Sequence, residues 1–205
     1  IYQCDWSSDV CSSDLYLFTG TSAAQTITNN IDLSTKGGLV WMKDRTAGST
    51  WHQLFDTARG GAYSIATNAT DAQYNLGGYP TRGVQFNTNG FSVNDSYNVD
   101  ISGHLNVSWT FRKQAKFFDI VTYTGNGSTG RQIAHNLGSA PGCIIVKCTS
   151  SITNWPVYHR GIANSYLTLN STDANGASTA KYYWGDDTTV IAPTSTYFKI
   201  GRAHV

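Results

Sequence analysis

The chain contains no glutamate: its thirteen acidic residues are all aspartate, and it has a single methionine. Both residue types lose little side-chain freedom in a helix, so their scarcity turns the expectation away from helical folds. The missing glutamate also bears on chemistry. Glycosidic hydrolysis uses two carboxylates about 5–10 Å apart, and many sandwich-fold glycosidases carry them on one strand in a Glu-x-Asp-x-Glu run. No such run exists here. Asp186 and Asp187 are adjacent, so on a strand they would face opposite ways, and beside Gly185 they read as a turn. Charge of either sign is sparse: 14 Lys+Arg against 13 acids leaves a net charge of +1, with no basic run longer than Arg112-Lys113. That balance does not point to nucleic acid or a membrane surface. No stretch approaches the roughly 18 apolar residues of a membrane-spanning helix.

Motifs for a cofactor, a metal or a catalytic group are missing as well. There is no Gly-x-Ser-x-Gly elbow and no Gly-x-x-x-x-Gly-Lys-Ser/Thr loop between Tyr16 and Lys199. Asp95 and Asp100, and the run Asp173-Ala174-Asn175-Gly176, look superficially like calcium loops, but neither supplies five oxygen ligands in register and both read as turns. His52, His104, His135 and His159 lack the pair spacings of a zinc site. His135 at a turn entry is assigned a structural hydrogen bond. The reading is therefore catalytic residues none, metal none, cofactor none, and no enzyme.

The two ends stand apart in composition. Cys4 to Leu15, CDWSSDVCSSDL, and Ile200 to Val205, IGRAHV, match frame translations of common sequencing-library adapters; ATC GGA AGA GCA CAC GTC encodes the second. Residues 1–15 and 200–205 are set aside on that ground, and the frame is expected to be a metagenomic fragment of a longer protein. Of the four cysteines only Cys143 and Cys148 then remain. Five apart on one predicted strand, they point to opposite faces, and both are expected to be small buried hydrophobes rather than a bridge.

What the chain does have is aromatic residues (13%), twenty glycines, and abundant Thr, Ser and Asn. With β-branched residues plentiful, this composition predicts an all-β fold. An internal repeat organises it. Gly38-Leu39-Val40-Trp41-Met42-Lys43 corresponds to Gly142-Cys143-Ile144-Ile145-Val146-Lys147, Trp51 to Trp155 at the same spacing, and Asn68-Ala69-Thr70-Asp71-Ala72 to Asn170-Ser171-Thr172-Asp173-Ala174. Two tandem β-sandwich units of jelly-roll or concanavalin-like type follow, over 16–113 and 114–199. The second is expected to be truncated, lacking its final strand and exposing an edge.

Strands are predicted over Gly38–Lys43, Thr50–Phe55, Ala62–Thr67, Gly83–Phe86, Phe91–Val93 and Leu105–Arg112. In the second unit they are predicted over Phe117–Thr124, Cys143–Lys147, Trp155–His159, Tyr166–Leu169, Tyr182–Trp184 and Thr196–Lys199. The joint between units lies in Leu105–Ser128. There Leu105, Val107, Trp109 and Phe111 alternate with polar residues, and Trp109 is expected in the core. Arg112–Lys116 is read as a polar joint.

One run offers ligand chemistry. Sugars pack their C–H faces on aromatic rings, with amide and charged groups at the rim. Trp155, Tyr158, His159 and Arg160 together would provide this. The competing reading is a core strand ending in a polar turn, because Trp51 occupies the equivalent place.

Several long phrases carry a resemblance: GLVWMKDR (Gly38 to Arg45), HQLFDTARG (His52 to Gly60), FNTNGFSV (Phe86 to Val93), and WTFRKQAKFFDIVTYTGNG across the joint. They resemble a family of tandem domains of undefined function in structural and tail-fibre-like proteins of marine bacteriophages. The resemblance implies a jelly-roll or concanavalin-like sandwich and a non-enzymatic virion component at the phage tail or surface. It further implies host attachment, with a host-surface polysaccharide and other virion subunits as partners and a homo-oligomer as the full-length state. The alternative is a secreted carbohydrate-binding module or glycan-active enzyme of the same fold. The resemblance brings no catalytic residue.

Overall fold

The computed structural model describes residues 11–94, 98–162, 164–176 and 179–202. The chain is all-β, as expected. Among the described residues the one α-helix is a single turn, α1 (Ala180–Tyr183), and one 3-10 turn covers Arg160–Ile162. Two compact units form. One holds the chain through Ala66 with Gln73–Gln114, and the other holds Thr67–Ala72 with the chain from Ala115 onward.

The first unit contains β1 (Ser13–Thr19), β2 (Gln25–Thr28), β3 (Gly38–Asp44), β4 (Gln53–Asp56), β5 (Tyr63–Ala66), β6 (Tyr74–Asn75), β7 (Gly83–Asn87), β8 (Gly90–Asn94) and β9 (Leu105–Arg112). A six-stranded antiparallel sheet runs β1-β9-β3-β4-β5-β6, and a three-stranded one runs β2-β8-β7. Their facing side chains make one core. Val40, Met42 and Phe55 of the large sheet and Ile27, Phe91 and Val93 of the small one are buried in a single cluster. This is sandwich-like packing, each strand giving alternate residues to the interior. Ser13, Asp14 and Leu15, in the stretch set aside above, lie in β1 opposite Phe111, Thr110 and Trp109. Cys11 is disulfide-bonded.

β9 has the predicted bounds but the opposite facing. Asn106, Ser108 and Thr110 are fully buried, whereas Trp109 and Phe111 are half-exposed on the outer face. Trp109 is therefore not a core residue. Two contacts explain the inversion. Asn29 Nδ2 donates to Thr110 Oγ1 at 3.0 Å and Asn106 Nδ2 to the His104 carbonyl at 3.1 Å, so Thr110 and the Asn106 amide nitrogen find partners inside, while Ser108 Oγ and Asn106 Oδ1 are buried without one among the described residues. The apolar row lies beside Trp41, whose ring centroid is 5.8 Å from that of Trp109.

The second unit contains β10 (Arg131–Ala134), β11 (Cys143–Ile145), β12 (Pro156–His159), β13 (Leu167–Thr168) and β14 (Tyr197–Ile200). β10 pairs with β14, and β11-β12-β13 form a three-stranded sheet. Ile133, Tyr158, Trp184, Phe198 and Ile200 make its core. Thr67–Ala72 belongs here through hydrogen bonds. The Thr70 carbonyl accepts Lys147 Nζ and the Thr153 N–H, each at 2.9 Å, and the Ala69 carbonyl accepts Trp155 Nε1 at 3.0 Å.

Three expectations fail in this unit. Phe117–Thr124 is a turn followed by irregular chain, with one bridge position at Phe118. Its counterpart β1 takes its whole ladder from β9, and a strand without a ladder partner leaves its backbone groups unpaired. Tyr182–Trp184 falls in and after α1 instead of forming a strand. Cys143 and Cys148 are exposed and free; Cys143 lies on β11, the end strand of its sheet, and Cys148 in the irregular chain beyond it.

Local geometry recurs between the units. Lys43 Nζ donates to the carbonyls of Ala47 (3.3 Å) and Thr50 (2.9 Å) and to Thr50 Oγ1 (2.8 Å). Lys147 Nζ donates to the carbonyls of Ser151 (3.3 Å) and Thr153 (2.9 Å) and to Thr153 Oγ1 (3.1 Å). The Thr57 N–H bonds Gly38 O in one unit, as the Arg160 N–H bonds Gly142 O in the other, each at 2.9 Å.

Candidate functional site

A cleft of about 300 Å³ opens at the β4–β5–β6 side of the first unit, lined by Trp51, Gln53, Ser64, Tyr74, Asn75, Leu76 and Arg82. Register explains why the strand residues converge. Gln53 stands opposite Met42 and Ala66, and Ser64 opposite Tyr74, so Gln53, Ser64 and Tyr74 share the core-side face of the large sheet. Trp51, just before β4, stacks on Tyr74 with centroids 5.7 Å apart and planes 18° from parallel. Gln53 is buried beneath them, its Oε1 accepting a hydrogen bond from Ser64 Oγ.

The approach to Trp51 is tied down at two places. The Lys43 ammonium gathers the carbonyls of the preceding loop, as described above. Asp44, fully buried, accepts the N–H groups of Thr46 (2.8 Å) and Ala47 (3.2 Å) and pairs with His104 Nδ1 at 2.7 Å. Burial alone would raise the Asp44 pKa. The His104 hydrogen bond and the two backbone donors outweigh it and hold the carboxyl below its usual value.

The far wall depends on two glycines. The Val84 N–H bonds Gly61 O at 2.9 Å, and a Cβ on Gly61 would lie 1.7 Å from the Val84 carbonyl oxygen. Gly83 has φ +90°, with a Cβ position 2.4 Å from Gly61 O. Only glycine permits this approach of β7 to the turn before β5, which sets Arg82 and Leu76 at the cleft. Asn75 Oδ1 accepts the Gly77 N–H at 2.9 Å and fixes the turn after β6.

On the outer face of the same sheet, Trp41, His52, Trp109 and Phe111 line a second hollow of about 250 Å³. Burial, helped by the Lys43 charge, lowers the His52 pKa and favours its neutral form. The hollow is almost wholly apolar, whereas the cleft has amide, hydroxyl and guanidinium groups beside its rings.

The residues singled out in sequence lie elsewhere. Trp155 and Tyr158 are only 4% and 3% exposed. The Trp155 indole N–H is held by the Ala69 carbonyl, and Tyr158 meets Trp184 edge-on at 5.9 Å. Their rings face the interior of the second unit and offer no platform. His159 and Arg160 are exposed; His159 Nδ1 accepts the Gly161 N–H at 3.2 Å. Asp100 and Asp173 of the calcium-like segments are hydrogen-bonded within the protein. Asp100 Oδ1 accepts the Thr21 N–H at 2.9 Å, Asp173 bonds Ser171, and Asp95 lies outside the described residues. His135 Nδ1 accepts the Leu137 N–H at 3.3 Å, the structural role expected of it.

Trp155 is buried where Trp51 lines a cleft, and the registers show what differs around them. Ser64 opposite Tyr74 is matched by a bridge of Tyr166 to Gly176. Met42 opposite Gln53 is matched by the bond of Val146 N–H to Pro156 O. The second unit thus has Pro156, Tyr166 and Gly176 where the first has Gln53, Ser64 and Tyr74. The Tyr166 ring lies over Gly176, whose Cβ position is 2.4 Å from it.

A search of curated proteins and a search of solved structures each return no match. A family model described as "Domain of unknown function (DUF7483)" matches residues 7–205, across both units. The chain belongs to the DUF7483 family.

Proposed function

We propose that this chain is a non-enzymatic carbohydrate-binding module whose site is the Trp51–Tyr74 cleft of the first unit. The observation that carries the proposal is the combination in one cleft of a stacked aromatic pair with Gln53, Ser64, Asn75 and Arg82. A pyranose presents a C–H face to rings and hydroxyls to amide and guanidinium groups, and this lining offers both. No carboxylate lines the cleft among the described residues, which favours binding over glycosidic hydrolysis.

The two units are read as copies of one ancestral sandwich, of which the first has the cleft. The recurring lysine cradles and strand registers support that reading. With the resemblance given above, the setting is a phage virion, at a tail-fibre or surface position, with a host-surface polysaccharide as ligand. Other virion subunits, in a homo-oligomeric full-length protein, would be the protein partners.

The test is a glycan array probed with the full chain, followed by titration of any hit with tryptophan fluorescence. Trp51→Ala and Arg82→Ala are each expected to weaken binding at least about tenfold, roughly 1.4 kcal/mol. Silence across bacterial surface polysaccharides, or binding that both variants leave unchanged, would overturn the proposal.

A further inference from the structure

In the first unit β3 is paired along both edges. Gly38, Val40 and Met42 exchange bonds with β4, and the alternate residues Leu39, Trp41 and Lys43 face Phe111, Trp109 and Val107 of β9. The second unit repeats the first half of this pattern. Arg160 N–H bonds Gly142 O at 2.9 Å, and Val146 N–H bonds Pro156 O at 3.1 Å. In an antiparallel ladder the residues between bonded pairs turn their N–H and C=O groups to the other side. Those residues are Cys143, Ile145 and Lys147, the counterparts of Leu39, Trp41 and Lys43. Cys143 and Ile145 are exposed, Ile145 by 46%, and β11 is the end strand of its sheet.

We propose that β11 is an acceptor edge for an extended peptide strand of the β9 type. Such a strand carries small polar side chains on one face and apolar or aromatic ones on the other. The chemistry of the occupant follows from what flanks the slot. In the first unit, the row beside Val40 and Met42 on the core side is Thr110 and Ser108, and the row beside Leu39 and Trp41 is Phe111 and Trp109. Ile144 and Val146 repeat the core-side pair, both half-buried against the second unit's core. Cys143 and Ile145 repeat the outer, exposed pair. An unpaired edge flanked by apolar side chains is the surface that strand addition uses: main-chain bonds supply affinity and alternating side chains supply register. The inference rests on the correspondence of the two units and not on the carbohydrate reading, so its failure would leave the cleft untouched.

The experiment adds a synthetic peptide of the Leu105–Arg112 sequence, flanked by lysines for solubility, to the full chain. Amide hydrogen exchange is then read residue by residue. Cys143, Ile145 and Lys147 are expected to slow at least about tenfold and saturably with peptide, while Ile144 and Val146 stay as they were. A peptide N-methylated at the positions of Val107, Trp109 and Phe111 lacks the donors that face β11 and is expected to give no protection. Ile145→Pro, which removes the central donor of the edge, should abolish the effect as well. If that variant does not fold, the N-methylated peptide still decides. No protection, or equal protection by the N-methylated peptide, overturns the proposal. Protection that rises with protein concentration and needs no peptide overturns the assigned occupant, because it would mean two copies pairing edge to edge.

Discussion

Trp51 and Trp155 each lead into a corresponding strand, in two units of one chain, and have different fates. Trp51 stacks on Tyr74 at the mouth of a cleft, whereas Trp155 is buried, its indole N–H held by the Ala69 carbonyl. The strands that follow keep the same register, but Trp51 stands two residues before Gln53 whereas Trp155 stands one before Pro156, so the two rings differ by one position along the chain. Beside that shift, three neighbours differ: Gln53, Ser64 and Tyr74 against Pro156, Tyr166 and Gly176. Across a pair of strands, a small residue opposite a large one leaves room above the small one. Placing the ring on the other member, opposite glycine, fills that room. A fold can thus keep its ladder and gain or lose a cleft through side-chain size on two adjacent strands.

The units differ as well in how completely they are built. The first has a core between two sheets and pairs β3 on both edges; the second has a smaller core, and among the described residues β11, the counterpart of β3, is paired on one edge. The largest expected effect follows from this contrast. Phe55, fully buried, corresponds to Tyr158. Phe55→Ala should cost the first unit about 3–5 kcal/mol, while Tyr158→Ala in the smaller core should cost the second less. Urea unfolding of both variants checks it, and equal losses would break the contrast.

Acid stability should also separate the units. Asp44 titrates below its usual value in the folded state, so its contribution is complete above about pH 4 and is lost as pH falls through the lower, folded value. Asp44→Ala should therefore cost about 1.5–3 kcal/mol at neutral pH and flatten the acid limb of stability. The second unit has no such pair at the corresponding position, Cys148. Thermal melts from pH 2.5 to 7 measure this.

Exchanging the cleft residues comes next in size. Ser64→Tyr with Tyr74→Gly imposes the second unit's pattern on the first. It should abolish at least about tenfold of any carbohydrate affinity, roughly 1.4 kcal/mol, while leaving the fold intact by circular dichroism. Smallest is the lysine pair. Lys147 reaches one more carbonyl than Lys43, that of Thr70. Lys147→Met should thus cost more than Lys43→Met, by about 1 kcal/mol in denaturant titration.

The fold class was legible because it is a matter of composition: no Glu, one Met, and many aromatic and β-branched residues. Strand bounds were legible where a ladder exists on both sides, as at Leu105–Arg112 and Gly38–Lys43. The facing of Leu105–Arg112 was not, because period two says that two faces differ without saying which is inside. Only the contacts of Asn106 and Thr110 decide it. Phe117–Thr124 reads as a strand locally but forms none, since a ladder depends on a partner distant in sequence. The cleft was hidden for a related reason: Trp51, Ser64, Tyr74 and Arg82 are scattered, and register alone brings them together. One signal was available. Tyr74 and Gly176 occupy corresponding places just after the shared Asn-x-Thr-Asp-Ala phrase, and a large difference there within a conserved frame marks where the two copies diverge.

The most direct test of the correspondence is residue-resolved hydrogen exchange on β3 and β11 in the unmodified chain. Leu39 through Lys43 should all exchange slowly, being bonded on both sides. In β11 and the two residues after it, Ile144 and Val146 should be slow, while Cys143, Ile145 and Lys147 exchange at close to open-chain rates. Uniform protection across residues 143–147, matching that of β3, would contradict the account.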